Sequence, residues 1–337
     1  MAAEGRDSPD FSTLPEGCIA SIVSLTSPAD VCRLASVSPN FKSVCDSNVV
    51  WASFLPLDCC QMASQSFSSL KELYFSLCDE PVLISDGKMS FSLDRHNGKK
   101  CIILSARALS ITWGDTPRYW SWYRMSSSRF AEVAELLNVW WFEIRGTISS
   151  RMLSSGTLYA AYLVFNFTKR LRGFDKKPVK VGVGFVGDEA SKRERSVYLP
   201  NENNMLRWQS RVRFRRIRAY FEPLPPKMIN ELPIVIPVGP APVEPAPAPA
   251  QHALAEPTPA PAEPALAKGN GNYPKKRRDD WLEIELGEFL MKDGQDGEVE
   301  MSVLDTKGTY WKSGLIAEGI EIRPKDGKEK CLYVGRV

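Results

Sequence analysis

The chain has 337 residues, enough for two domains of ordinary size. The formal net charge is only +3, so no strong overall field points to nucleic acid or to a membrane surface. Eight cysteines and two histidines show no metal-ligand spacing, so we expect reduced thiols, no metal and no cofactor. We also expect no signal peptide, because residues 1–10 are polar, and no membrane span, because no apolar run approaches ~20 residues.

Three short helices are predicted near the N-terminus from residues that start helices. Thr13 and Ser27 each stand three positions before a carboxylate, and Ser38 directly precedes Pro39. Apolar residues then recur at helical spacing, and a further apolar patch surrounds Trp51. Helices this short do not persist alone, so their apolar faces must be buried against something else. Both a partner protein and the downstream part of this chain meet that requirement.

The same segment, residues 10–56, resembles an F-box. The resemblance rests on Leu14-Pro15, Arg33-Leu34, Val37-Ser38 and Val50-Trp51, which stand at the spacing of the family. It implies docking onto the Skp-type linker subunit of a cullin-RING ubiquitin ligase. The residues that it assigns to docking are Leu14, Pro15, Ile19, Ile22, Val31, Leu34, Val37, Phe41, Val50 and Trp51.

After a linking helix predicted within residues 57–80, the apolar pattern changes to a period of two. The alternating stretches are residues 140–148, 179–185, 281–286 and 298–303. One apolar and one polar face per strand predicts an antiparallel β-sandwich over 81–222 and 273–325. We expect the Pro/Ala-rich residues 223–272 to be a disordered insertion in this domain, because residues 273–337 supply too few strands for a separate core.

The most distinctive motif is a group of three tryptophans around a polar turn. Trp113 and Trp120 flank the turn at residues 115–117, and Trp122 stands two positions later. An indole face next to polar groups suits a sugar ring, whose C–H-rich face stacks on it. Burial in a core is the alternative, and the pattern alone does not decide between the two.

From residue 100 to residue 324, apart from the insertion, the chain resembles the phloem protein 2 domain of Nictaba-type plant lectins. The matching stretches include residues 106–113, 119–122, 280–289 and 319–324. The resemblance implies a jelly-roll-like sandwich that binds N-acetylglucosamine oligomers or N-glycan cores. It makes Trp113 and Trp120 the stacking pair, with Glu298 and Asp305 as acidic contacts, and we add Trp122 as a third carbohydrate-binding candidate.

Two basic clusters suggest other uses. Residues 211–218 alternate arginine with apolar side chains, which favours a solvated strand face over a nucleic-acid surface. Lys275, Lys276, Arg277 and Arg278 come after the proline-rich segment and form a candidate nuclear import signal.

Together these features predict a small all-α F-box followed by an all-β sandwich, acting as a non-enzymatic adaptor. We expect the substrate receptor of an SCF-type ubiquitin ligase, in the cytoplasm or nucleus, which binds glycans on target glycoproteins. One alternative is an F-box adaptor whose sandwich binds a protein without sugar, and another is a nuclear protein associated with nucleic acid. A glycosidase is the least supported interpretation, because nothing marks an acid/base pair.

Overall fold

The computed structural model describes residues 14–56, 67–174, 177–188, 192–199, 273–307 and 310–325. In these ranges five helices come first: α1 (Glu16–Ser24), α2 (Pro28–Leu34), α3 (Pro39–Cys45), α4 (Asn48–Ala52) and α5 (Leu70–Asp79). The predicted linking helix corresponds to α5. None of the helices in this part of the chain is long and apolar enough to cross a membrane. The predicted insertion at 223–272 and the arginine-rich stretch at 211–218 lie outside the described residues.

Serine caps begin α2 and α3, as predicted. The Ser27 and Ser38 hydroxyls accept hydrogen bonds from the backbone N–H groups of Asp30, at 3.1 Å, and Phe41, at 3.2 Å. A proline comes after each serine, where its missing N–H costs no hydrogen bond. The start of α1 differs, since Pro15 precedes it and no described side chain caps it. Thr13, the predicted cap, lies outside the described residues.

The strands form two antiparallel sheets. The larger sheet contains β1 (Val82–Ile84), β2 (Met89–Leu93), β3 (Lys100–Ser105), β5 (Trp120–Tyr123), β6 (Val133–Leu136), β8 (Thr157–Arg172), β11 (Lys275–Lys276), β12 (Leu282–Met291) and β14 (Ser313–Pro324). The smaller sheet contains β4 (Ser110–Ile111), β7 (Phe142–Ser149), β9 (Val179–Phe185), β10 (Arg193–Val197) and β13 (Glu298–Asp305).

The order in the larger sheet is β1-β2-β3-β14-β8-β12-β11, with β6 also on β14 and β5 on β6, and the order in the smaller sheet is β10-β9-β13-β7-β4. Their apolar faces meet in one core, to which Ile144 of β7 and Leu163 of β8 belong. Gly146 leaves room for this packing, because a Cβ there would lie 2.9 Å from the Leu109 side chain and 3.3 Å from that of Ile320. The predicted antiparallel sandwich is confirmed.

The helices share their core with the sandwich. Trp51 of α4 is fully buried, and its ring centroid lies 5.1 Å from that of Tyr74 on α5. The Tyr74 hydroxyl donates to the carbonyl oxygen of Asp94, at 2.9 Å, in the turn between β2 and β3. Gly98 of the same turn packs closely on Phe54 and Pro28. The downstream domain therefore supplies part of the burial that the short helices require.

Candidate functional site

The ten predicted docking residues fall into three groups. Leu14, Pro15, Ile22 and Val37 are exposed, whereas Leu34 and Phe41 are half-buried. Ile19, Val31, Val50 and Trp51 are buried in the chain's own core. Buried side chains cannot contact a partner unless the helices unpack, so these four are structural residues in this fold.

Two exposed apolar residues of the helical segment were not among the predicted docking residues. Leu25, just after α1, is 87% exposed, and Val49 of α4 is also exposed. The α1 and α4 helices pack side by side, so Leu25 and Val49 add two exposed apolar residues to the part of the chain that holds Ile22. Large apolar side chains grouped on a surface mark contact sites for other proteins.

Trp113 lies just after β4 and presents an open indole face. Its side chain is 45% exposed, and its ring centroid lies 5.2 Å from that of Tyr119. Its φ of 58° places a bulky residue in the left-handed region, which costs energy and is found most often at functional sites. The turn is held by a hydrogen bond from the Thr116 N–H to the Trp113 carbonyl oxygen, at 2.9 Å.

The indole rings of Trp120 and Trp122 are less accessible to a ligand than that of Trp113. Trp120 is only 2% exposed, and its ring stacks on that of Phe142 at 6.4 Å. Trp122 is half-buried, and the Arg107 guanidinium lies 3.6 Å from its ring centroid. The predicted stacking pair is therefore not formed, because Trp120 points into the core while Trp113 stands at the surface.

The two predicted acidic contacts lie at opposite ends of β13. Seven residue steps separate Glu298 from Asp305, about 23 Å along a strand. Glu298 pairs with Ser149, at the far end of β7 from the tryptophan turn. Asp305 lies at the near end, but its carboxylate is bound to the fully buried Lys312 ammonium at 2.9 Å. Glu298 is therefore too far from Trp113 to contact the same ligand. Asp305 has a structural role, because its carboxylate is bound to Lys312.

A carboxylate that sequence reasoning missed contacts Thr112, the residue before Trp113. Glu143 accepts hydrogen bonds from the Trp141 indole at 2.8 Å, the Thr112 hydroxyl at 3.2 Å and the Arg145 guanidinium at 2.7 Å. The bond from Trp141, followed by that from Arg145, lowers the pKa of Glu143, so this group is ionised at neutral pH. The alternating pattern placed Trp141, Glu143 and Arg145 on one face, but it gave no sign of their contact with Thr112.

The basic residues at 275–278 lie at an edge of the larger sheet. Lys275 and Lys276 form β11, which pairs with β12. The Lys276 ammonium binds Asp280 at 2.6 Å, and Arg277 binds Glu283 at 3.0 Å and also Glu321. Lys275, Lys276 and Arg278 are exposed and Arg277 is half-buried, so the segment is an exposed sheet edge, and its use as a nuclear import signal stays a prediction.

The described ranges contain no group of three His, Cys, Asp or Glu side chains arranged to hold a metal ion.

Known families match both parts of the chain. An F-box domain model matches residues 11–53, and a Phloem protein 2 model matches residues 99–324. The chain is similar to three proteins of Arabidopsis thaliana. It is 41% identical to F-box protein PP2-B1 over 94% of this chain and 90% of that protein. It is 38% identical to F-box protein PP2-B10 over 94% and 95%, and 36% identical to F-box protein PP2-B15 over 94% and 98%.

Proposed function

We propose a function from one premise, that this chain belongs to the F-box proteins that carry a phloem protein 2 domain. In this proposal it is the substrate receptor of an SCF-type ubiquitin ligase in the cytoplasm or nucleus. Its helices dock onto a Skp-type linker subunit, and its sandwich binds a saccharide carried by target glycoproteins. The transfer of ubiquitin belongs to other subunits of the ligase, so the chain itself is proposed as a non-enzymatic adaptor.

The exposed apolar residues of the helical segment carry the docking half of the proposal. Ile22 of α1, Val49 of the adjacent α4 and Leu25 just after α1 are exposed to solvent, as is Val37 after α2. Exposure of this apolar surface to water has a free-energy cost. Docking onto a linker subunit would remove it from water.

Co-purification with a Skp-type linker tests this half. We expect the wild-type chain to retain the linker and the Ile22→Asp/Val37→Asp variant to lose it, because two charges would be desolvated in the contact. Ser43→Asp, an exposed position on α3, is the matched control and should retain the linker. If the double variant retains the linker as well as this control does, the exposed apolar residues are not the docking surface.

The open face of Trp113 carries the saccharide half. A pyranose ring can stack on this indole beside Tyr119, while the ionised Glu143 next to it accepts hydrogen bonds from sugar hydroxyls. One aromatic contact contributes about 1 kcal/mol. We therefore expect micromolar or weaker affinity.

Calorimetry with N-acetylglucosamine oligomers tests the saccharide half on the full chain. Trp113→Ala should weaken binding severalfold, whereas Leu290→Ala, which truncates an exposed apolar residue on β12, should leave it unchanged. Absence of binding to the wild type, or wild-type affinity in the Trp113→Ala variant, would contradict the saccharide proposal.

One alternative has an observation in its favour. The burial of Trp120 removes half of the expected stacking pair, which favours an F-box adaptor whose sandwich binds a protein surface directly. Under this alternative, capture of the target protein survives enzymatic removal of its glycans and survives Trp113→Ala. Under the saccharide proposal, both treatments reduce it.

A further inference from the structure

A second aromatic pair, formed by two tryptophans, lies at the same end of the sandwich as the pair of Trp113 and Tyr119. Val139 and Lys312 exchange backbone hydrogen bonds of 2.9 and 2.7 Å in an antiparallel bridge, and both side chains are fully buried. Their neighbours therefore face the other way, and Trp140 and Trp311 are 45% and 56% exposed. In an antiparallel bridge, the residue that follows Val139 stands opposite the residue that precedes Lys312. Trp140 is therefore the cross-strand neighbour of Trp311.

The buried Lys312 side chain binds the backbone of both segments that carry these tryptophans. Its ammonium binds the Asp305 carboxylate at 2.9 Å and donates to the carbonyl oxygens of Trp140, at 3.0 Å, and Tyr310, at 3.2 Å. Both segments that carry the indoles are therefore fixed before any ligand arrives. A surface that is already ordered loses little conformational entropy on binding.

A short stretch of chain connects the second pair to the first aromatic surface. The Leu137 N–H donates to the Tyr119 carbonyl oxygen at 2.9 Å, and the Tyr119 ring adjoins that of Trp113. Only three residue steps separate Leu137 from Trp140, at most about 11 Å of chain. This strip of aromatic side chains is longer than one sugar ring.

The chemistry of the strip favours a neutral linear ligand. The exposed Asn138 lies between the two aromatic pairs and can both donate to and accept from hydroxyl groups. Asp305 and the buried Lys312 neutralise each other, and the Glu143 carboxylate is paired with the Arg145 guanidinium. A stable protein contact usually buries ~1,600 Å² in total, whereas a narrow strip of indoles and amide groups matches a chain of pyranose rings.

We propose that Trp140 and Trp311 form a second saccharide subsite, so that this end of the sandwich binds a linear oligosaccharide of several pyranose rings. The inference rests on the proposed function, because it takes the sugar stacked on Trp113 as the first ring of the same ligand. Asn138 bonds to hydroxyl groups of the rings between the two aromatic pairs.

Affinity as a function of ligand length tests the subsite. Calorimetry uses the full chain with N-acetylglucosamine and its oligomers of two to five units. We expect the affinity of the wild type to rise with length. The Trp140→Ala/Trp311→Ala variant should bind the pentamer at least about tenfold more weakly, and should bind the shortest ligands as the wild type does. Trp113→Ala should weaken binding of every length, and Leu290→Ala is the matched control.

The outcomes separate this inference from the proposed function. If wild type binds no oligomer, the saccharide function and the subsite both fail. If binding depends on Trp113 but the double variant binds the pentamer as tightly as wild type does, the subsite alone is overturned. Loss of a protein partner without loss of sugar affinity also overturns it. Trp140→Phe/Trp311→Phe keeps flat rings at both positions and should retain most of the pentamer affinity, which a general packing defect would not allow.

Discussion

Replacement of Lys312 by methionine examines the buried ion pair on which the aromatic end of the sandwich rests. The ammonium of Lys312 is inaccessible to solvent, and its partner Asp305 is 11% exposed at the side chain. Methionine fills a similar volume but cannot pair with a carboxylate or donate to a carbonyl oxygen. The substitution therefore leaves a nearly buried negative charge without a partner, together with the carbonyl groups of Trp140 and Tyr310.

Removal of one member of a buried ion pair costs about 3–5 kcal/mol. Because some water reaches Asp305, we expect the lower end of this range, about 3 kcal/mol. A domain of this size loses roughly 2–4 °C of Tm per kcal/mol, which gives a decrease of roughly 6–12 °C. Replacement of both partners, in Lys312→Met/Asp305→Leu, removes the uncompensated charge and should recover most of the lost stability.

Urea unfolding, followed by tryptophan fluorescence, measures these free energies. Lys180→Met is the matched control, because Lys180 is exposed and lies 3.9 Å from its partner Glu194. This control should change the free energy of unfolding by no more than about 0.5 kcal/mol. If Lys312→Met unfolds at the same urea concentration as the control, or if the double variant is less stable than either single variant, the assignment of a buried supporting ion pair is refuted.

Two further predictions concern stability elsewhere. Burial raises the pKa of Glu318, so the folded state holds the proton of this carboxyl group more tightly than the unfolded state does. The folded state therefore loses stability as the pH rises above the pKa that Glu318 has in the unfolded chain. Glu318→Gln should accordingly be more stable than wild type at pH 7. Urea midpoints should converge below about pH 4, and equal midpoints at pH 7 would contradict the assignment. Trp51→Ala should lower the free energy of unfolding by about 3–5 kcal/mol. A fragment that ends at residue 56 should show no stable helix by circular dichroism. If this fragment is folded, the helices need no downstream core.

The elements of this fold are predictable because their signals are local. The serine caps of α2 and α3 are set by residues within one turn of the helix. Alternation of apolar and polar residues likewise marks β7, β9 and β13, because a half-buried strand requires it. The sandwich as a whole is the consequence of several such strands.

The positions of site residues depend on contacts that no local pattern records. Trp113 and Trp120 have similar neighbours along the chain, yet one lies in a turn and the other faces Phe142 in the core. Nothing near Lys312 in the sequence indicates that it is buried, so the ion pair that removes Asp305 from the ligand surface could not be foreseen. The separation of Glu298 from Asp305 is different, because seven steps on one extended strand already place them about 23 Å apart.

The exposure of Trp140 and its pairing with Trp311 also could not be predicted from a local pattern. Alternation assigns Trp140 to the inner face with Phe142, but the chain leaves the regular strand at this point and Trp140 is exposed. Its partner Trp311 is separated from it by 171 residues of sequence. The bridge between Val139 and Lys312 brings the two together, and only the three-dimensional structure reveals it.

A bridging experiment tests directly whether this one chain links a saccharide to a ubiquitin-ligase linker subunit. Beads that carry N-acetylglucosamine oligomers are mixed with a purified Skp-type linker, with and without this protein. The linker should be retained only when this protein is present, and both Trp113→Ala and Ile22→Asp/Val37→Asp should reduce its retention. If wild-type protein retains no linker, or if the linker is retained equally with both variants, the chain does not connect the two.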